Sequence, residues 1–345
     1  MHRYRVFVSY SREDQALARK LVDHLECIGF HPIWDENLRP GDRFSDVIKA
    51  GIAHAHVFLP ILTEKSVGRP WVHQETGYAM GLEVPVLPVT VELEPGEMIQ
   101  DLHAMKVASD LGDLRPDVLV KDIERLLARK RPESESTFRC AASPEMRAEC
   151  LGDYTREAME NDADGPLRQS GAFTSFNLPL RPPDDEIWKL RDAPVKRSAV
   201  LYEFLYEERQ AFEAYARKQG CDLIICPSMP LGEYGPEAHK LRLETLLKFL
   251  EDTTVKNVRV AVREHPVGSS LTIVGDWFVA ESFSPRPGKG YFHTNFTWHA
   301  PTVLARLRKF DRDFAIRIQE AEAGGRSSRE VAIDCIKAAI ASIQA

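Results

Sequence analysis

The sequence predicts an α/β protein of two domains: an N-terminal flavodoxin-like parallel sheet and a second, C-terminal α/β domain. Three observations predict it. Strand-like and helix-like segments alternate with short connections over residues 1–130, the pattern of a parallel sheet with helices on both faces. Residues 131–185, rich in Glu, Ser, Asp, Gly and Pro, then interrupt the alternation. From Ile187 a second αβ pattern begins. A length of 345 residues fits two domains of ordinary size.

The elements follow in order. Tyr4–Ser9 is short and apolar, as a strand covered on both faces would be. Ser11 offers an N-cap, Glu13 and Asp14 suit the positive end of a helix, and Leu17, Leu21, Leu25 and Ile28 recur at helical spacing until Gly29 stops it. Phe30–Trp34 reads as the second strand, Asp35–Asp42 as a turn-rich loop and Phe44–Gly51 as a short helix. Val57–Leu62 is the third strand, Trp71–Met80 a helix, Val84–Val91 the fourth strand, Met105–Ala108 a weaker fifth, and Pro116–Arg129 a helix. In this layout ligands bind beyond the carboxyl ends of the strands. The loops after the first three strands, Tyr10–Arg12, Asp35–Phe44 and Thr63–Pro70, should therefore meet on one rim.

Residues 131–185 read as a connector that is partly helical over Met146–Met159, and residues 186–345 as the second domain. There the helices are Ser198–Arg217, Lys240–Leu250, Ala300–Ala323 and Ser328–Ile343. The strands are Cys221–Cys226, Val255–Val262 and Leu271–Ser282, the last alternating too poorly to have one wet face.

Charge and composition exclude several classes. Residues 1–130 carry 16 basic against 20 acidic side chains and the remainder 29 against 32, so the basic excess of general nucleic-acid binding is absent. No apolar run approaches the length of a membrane span, and the N-terminus lacks a signal-peptide core. Six cysteines without a CxxC pair suggest reduced, mostly buried thiols and a cytoplasmic location. Neither G-x-G-x-x-G nor G-x-x-x-x-G-K-[ST] occurs, so no Rossmann redox site or P-loop is indicated.

Four motifs stand in register in the first domain: Val6-Phe-Val-Ser-Tyr-Ser-Arg12, a Gly-Phe-x-x-x-Trp-Asp strand, Leu38-Arg-Pro-Gly41 and Trp71-Val-His-Gln-Glu75. Together they closely resemble the Toll/interleukin-1 receptor (TIR) domain, over residues 3 to about 130. That family contains adaptors that only self-associate and enzymes that cleave NAD⁺ at the nicotinamide–ribose bond. The residue separating them is a glutamate on the helix after the third strand, which the resemblance places at Glu75. Outside the resemblance Glu75 reads as one more solvated helix acid, Trp71 as a core anchor and His73 as an exposed helix residue.

The implied chemistry needs no cofactor, NAD⁺ being the substrate. Loss of nicotinamide leaves an oxocarbenium-like ribosyl cation, which a fixed carboxylate stabilises. The same carboxylate can assist attack by water or by the adenine of the same molecule. Trp71 lies one turn before Glu75, on the same side of the helix, where an indole can stack on cationic nicotinamide. Tyr10, Ser11 and Arg12 match the family's loop beside the nucleotide, Arg12 and the helix start facing the pyrophosphate. Arg39, Gly41 and Phe44 match its long loop after the second strand, although Phe44 falls three residues after the glycine where the family has two.

In the second domain, Ser269–Ser282 and Gly290–Ala300 are dense in polar and aromatic groups, and Asp276, Trp277, Glu281, His293 and His299 are candidates to surround a ligand. The segment distantly resembles the phospholipase D-like sheet, but H-x-K-x₄-D is missing. Tyr291, Phe292, Phe296 and Trp298 read as core. His293 and His299, with Cys221 and Cys226 upstream, match no standard zinc spacing, so no metal is expected.

The reading that results is an NAD⁺ nucleosidase, a trigger-activated effector of prokaryotic antiphage immunity that self-associates through its TIR domain. The C-terminal domain would regulate it by receiving a small-molecule or protein trigger. The alternatives are a non-catalytic TIR adaptor and a synthase of a cyclic ADP-ribose signal.

Overall fold

The computed structural model describes residues 4–34, 44–67, 70–93, 102, 104–129, 131, 135–171, 176, 199–228, 235–265, 269–283 and 293–344. The chain divides into two compact units, Met1–Phe138 with Trp298–Pro301, and Arg139–Thr297 with Thr302–Ala345.

In the first unit, β1 (Arg5–Ser9), α1 (Gln15–Cys27), β2 (His31–Ile33), α2 (Phe44–His54), β3 (Val57–Leu62), α3 (Glu64–Val67), α4 (Pro70–Gly81), β4 (Val89–Val91), β5 (Met105–Val107) and α5 (Pro116–Leu127) follow in order. The strands form one sheet of order β2-β1-β3-β4-β5, and every pair is parallel. This is the flavodoxin-like layout the alternation predicts.

Each strand sends alternate residues to opposite faces. Val6, Val8 and Tyr10 meet Leu21 and Leu25 of α1 and Leu119 and Ile123 of α5 in one core. Phe7 enters the other, stacked on Phe58 at 5.7 Å between ring centroids, with Ile48 and Ile52 of α2 and Ala79 of α4. Ser9 continues the Phe7 side.

Boundaries shift where backbone chemistry demands it. Ser11 precedes a 3₁₀ turn, Arg12–Asp14, and makes no side-chain cap; its carbonyl instead accepts from Asp14 N at 2.7 Å. Gly29, at φ +90°, ends α1, and Phe30 N reaches back to the Leu25 carbonyl at 2.9 Å. The fourth strand shrinks from Val84–Val91 to β4, with a lone bridge from Val86 to Phe58, because Pro85 and Pro88 have no N–H to give a ladder. The first unit runs past residue 130: the Arg131 guanidinium donates to the Ala55 and Leu82 carbonyls at 3.1 and 3.2 Å, and its burial lowers its pKa to about 10.

The second unit contains β6 (Phe138–Ala141), α6 (Pro144–Glu160), β7 (Leu167–Ser170), α7 (Ala199–Gln219), β8 (Cys221–Ile225), α8 (Pro236–Glu251), β9 (Val258–Val262), β10 (Ser269–Val274), β11 (Phe278–Phe283), β12 (His293–Thr297), α9 (Ala300–Glu322) and α10 (Ser328–Gln344). They build a seven-stranded sheet of order β6-β12-β11-β10-β7-β8-β9, parallel across β7-β8-β9 and antiparallel across β7-β10-β11-β12. Val303, Leu307, Phe310 and Phe314 of α9 cover Ile224, Ile273 and Val279 on one face. Residues 139–171 are thus part of this unit and not a connector: their strands complete its sheet, and β7 lies inside it between β10 and β8. The single strand expected over Leu271–Ser282 is a hairpin, turned by Gly275 at φ +52°, with Trp277 N donating to the Val274 carbonyl at 3.0 Å. Beside that turn the Tyr215 hydroxyl donates to the Ala163 and Gly165 carbonyls.

Burial also sets one titration. Glu157 of α6 has its pKa raised, first by desolvation and against the lowering effect of a hydrogen bond from the Trp277 indole. Below its unfolded value of 4.5 the group is protonated in both states. As pH rises toward the folded value the unfolded chain releases the proton first, so stability falls across that window. Glu157→Gln, which keeps an acceptor for the indole, should therefore raise the melting temperature at pH 7 and lose that advantage near pH 4. Melts of both proteins across this range check it; an advantage independent of pH would remove the titration as its cause.

The six thiols are all free. Cys150, Cys221 and Cys226 are buried, Cys335 is half-buried, and Cys27 and Cys140 are exposed, so fewer are buried than composition suggests.

Candidate active site

The carboxyl ends of β1 and β3 bring together the polar groups of the first unit. Glu75 lies in the second turn of α4, only 6% exposed, and accepts a hydrogen bond at Oε2 from the Ser9 hydroxyl at the end of β1. Sequence periodicity explains the placement: Val72, Glu75, Thr76 and Ala79 form the buried stripe of α4. A carboxylate on an inward stripe is costly unless hydrogen-bonded, and Ser9 is on the strand face that looks at it.

Beside it, the Thr63 hydroxyl, immediately after β3, donates to Asp14 Oδ2 at 2.8 Å. Both are nine-tenths buried. Thr63 Oγ1 also accepts from the Lys65 and Ser66 amides at 3.2 Å each, and the Ser66 hydroxyl accepts from Thr63 N at 2.7 Å, which fixes the start of α3. The loops after β1 and β3 are thus tied to one another.

Trp71 is one turn ahead of Glu75 and is 37% exposed, an uncommon position for an indole. Ser11 is buried and Arg12 exposed at the same rim. Tyr10 is elsewhere: strand alternation turns its ring into the core, against Trp34 at 6.0 Å, and not toward Glu75. Arg39 and Gly41 lie outside the described residues, as does the Phe44 side chain. Ser9, Asp14 and Thr63 were not among the residues the sequence singled out. The Ser9–Glu75 bond spans 66 positions, and only the S-x-S spacing after the first strand hints at it.

Of the candidates named beyond the first 130 residues, His299 falls in the first unit, and Asp276, Trp277, Glu281 and His293 of the second do not converge. Asp276 and Trp277 are at the β10–β11 turn, where Asp276 Oδ1 accepts from Asp164 N at 3.0 Å. His293 is at the far end of the same antiparallel register, opposite Phe283, with the Cys140 sulfur 3.4 Å from its Nδ1. Glu281 accepts from Arg306 of α9 at 3.1 Å, and His299 is buried. Phe296 is core, packed on Tyr154 and Phe278; Tyr291 and Phe292 lie outside the described residues. Among the described residues no group of three or more His, Cys, Asp or Glu is placed to hold a metal ion, and no helix is long and apolar enough to cross a membrane.

Comparison with known proteins agrees with the geometry of the first unit. A family model described as "TIR domain" matches residues 6–126. No curated protein matches the chain. Among solved structures, the TIR domains of the activated Roq1 resistosome, which directly recognises the pathogen effector XopQ, are 19% identical, covering 37% of this chain and 85% of that one, with a TM-score of 0.25. A metazoan TIR-STING receptor from C. gigas is 15% identical over 77% of this chain and 90% of its own, with a TM-score of 0.30. TrmBL2, an archaeal chromatin protein, is 7% identical over 58% of each chain, with a TM-score of 0.29. Likenesses this low carry no part of the assignment, which rests on the family model and on the all-parallel β2-β1-β3-β4-β5 sheet. Residues 6–126 of this chain are a TIR domain.

Proposed function

We propose that the TIR domain cleaves NAD⁺ at the nicotinamide–ribose bond, with Glu75 as its catalytic carboxylate, and that the chain acts as a trigger-activated, assembly-dependent effector of prokaryotic antiphage immunity. The observation that carries the reading is Glu75 itself, buried at the carboxyl rim of a parallel sheet and oriented by Ser9. Scission of the glycosidic bond expels neutral nicotinamide and leaves positive charge on the ribose. A carboxylate held in a site of low polarity stabilises that charge far more than one in water, and it needs no reorganisation when the charge appears. Trp71 offers an exposed indole face to the departing ring. Arg12, exposed at the rim, supplies positive charge for the pyrophosphate.

The test is concentrated full-length protein with NAD⁺, with nicotinamide and the adenine-containing products followed by chromatography. Nicotinamide release that grows faster than linearly with protein concentration is the expected result. No release at any concentration, from the full-length protein and equally after removal of the second unit, would count against the reading. In the same assay Ser9→Ala should lower kcat about tenfold or more, since a hydrogen bond to a charged group is worth about 1.5–3 kcal/mol. The Ser9 hydroxyl acts through Glu75, so KM for NAD⁺ should change little; equal losses in kcat and in binding would make Ser9 a substrate contact instead.

A further inference from the structure

The second unit contains a buried polar row that none of the chemistry above uses. On the sheet face beneath α6 and α7, Ser270 pairs in register with Ser282, and Ser282 with Thr294. Gly171 continues the row on the β7 side: a Cβ there would sit 2.8 Å from that of Ser270. Two residues inward, on the same face, Gln169 pairs with Thr272. Small hydroxylated side chains thus cross β10, β11 and β12, with Gln169 beside them on β7, at the end where β7 and β8 finish and β10 begins. That is the carboxyl rim of the parallel strands, where open α/β sheets take their ligands.

Arg147 of α6 and Glu208 of α7 lie over this floor. Arg147 Nε donates to Ser282 Oγ at 3.2 Å and its NH1 to Glu208 Oε2 at 3.4 Å. The Thr294 hydroxyl donates to Ser282 Oγ at 2.9 Å. Against this network two atoms stand out. Gln169 Oε1 and Ser270 Oγ, on side chains 0% and 2% exposed, have no hydrogen-bond partner among the described residues. An unmet buried polar atom destabilises the fold that holds it, and an apolar side chain there would avoid that cost.

We propose that this row is the floor of a binding site for a small neutral molecule bearing several hydroxyl groups, such as a sugar or a nucleoside. A hydroxyl both donates and accepts, so it satisfies Ser270 Oγ and the unmatched end of the Gln169 carboxamide whichever way round that amide is turned. Neutrality follows from the roof, where the Arg147 charge is already offset by Glu208. An anion would meet the Glu208 carboxylate and the carbonyl oxygen of Gln169. Gly171 lets Ser270 approach closely, since a Cβ there would lie 2.8 Å from that of Ser270 and 2.9 Å from its Oγ. The site is independent of NAD⁺ cleavage by the TIR domain.

The test uses the full-length chain. Its melting temperature is measured alone and with millimolar D-ribose, D-glucose, maltose, adenosine or, for contrast, inorganic phosphate, followed by calorimetric titration of the compound with the largest effect. At least one neutral polyol should raise the melting temperature saturably, and phosphate should not. In Ser270→Ala the ligand-free melting temperature should equal or exceed that of the parent, because only an unmet atom is lost; Gln169→Met also gives up the bond from its Nε2 to Thr272 Oγ1 at 3.3 Å and is read for affinity alone. The affinity of the responding compound should fall at least tenfold. The proposal is overturned if no polyol responds, if only phosphate does, or if the response survives both substitutions. It is equally overturned if Ser270→Ala melts lower or fails to fold, since that outcome marks the row as a structural network completed by buried water.

Discussion

Glu75→Gln should reduce nicotinamide release from NAD⁺ by about 10²–10³-fold, the loss seen when one preorganised electrostatic contact to a developing charge is removed. Glutamine has the shape of glutamate and keeps a carbonyl oxygen to accept from the Ser9 hydroxyl, so α4 and its buried stripe stay in place. What disappears is the negative charge. The substitution therefore separates catalysis from folding, which Glu75→Ala does less cleanly because it also opens a void beside Ser9. An unchanged melting temperature with lost turnover is the expected pair of results. Turnover equal to the parent's would remove Glu75 from the chemistry. Trp71→Ala in the same assay should weaken turnover more than it weakens folding, because the indole is 37% exposed and little core is lost with it.

The largest expected effect on stability is at Glu208. Its side chain is 1% exposed and faces Arg147, itself 10% exposed, so Glu208→Ala leaves a guanidinium charge buried beneath α7 without its carboxylate. Breaking a buried pair from one side costs about 3–5 kcal/mol, a large part of the 5–15 kcal/mol that holds a typical fold together. Denaturant unfolding of the second unit should shift accordingly. The double variant Arg147→Met with Glu208→Leu, which removes both charges and keeps the volume, should recover most of the loss. A double variant no better than Glu208→Ala would show that the pair acts through something other than its charges.

Much of the first unit is legible in the sequence because its signals are local. The apolar run Val6–Val8, the leucine spacing of α1 and the Gly29 stop each announce an element within a few residues. The four TIR motifs put Glu75 and Trp71 on α4 before any geometry is known. The tie between Ser9 and Glu75 is not local, and the S-x-S spacing after the first strand hints at it without naming its partner. Strand alternation alone would have placed Tyr10 in the core, since it shares parity with Val6 and Val8.

The second unit is harder to read for physical reasons. Both faces of β10 and β11 are covered, so the period-2 contrast that would separate the two strands is missing, and the turn at Gly275 is the remaining cue. β12, His293–Thr297, is too polar to look like a strand, yet it pairs with β11 through five residues. The polar residues that made 131–185 look like a connector flank β6, α6 and β7 and obscure them. The row of hydroxyls beneath α6 and α7 exists only once β7, β10, β11 and β12 are in register, so no sequence window contains it.

The non-sequential order of the seven-stranded sheet has a consequence for synthesis. β6 and β7 leave the ribosome early; β7 then waits for β8 and β10, and β6 for β12, the last strand of the sheet to be made. At about 5–20 residues per second, the TIR domain is complete and able to fold several seconds before either strand finds its partner. During that interval the nascent chain carries a finished TIR fold and two strands with open edges, which are templates for mispairing with other chains. A product ending after residue 185 would keep those edges open permanently, so a stable TIR fragment should be cut near residue 138.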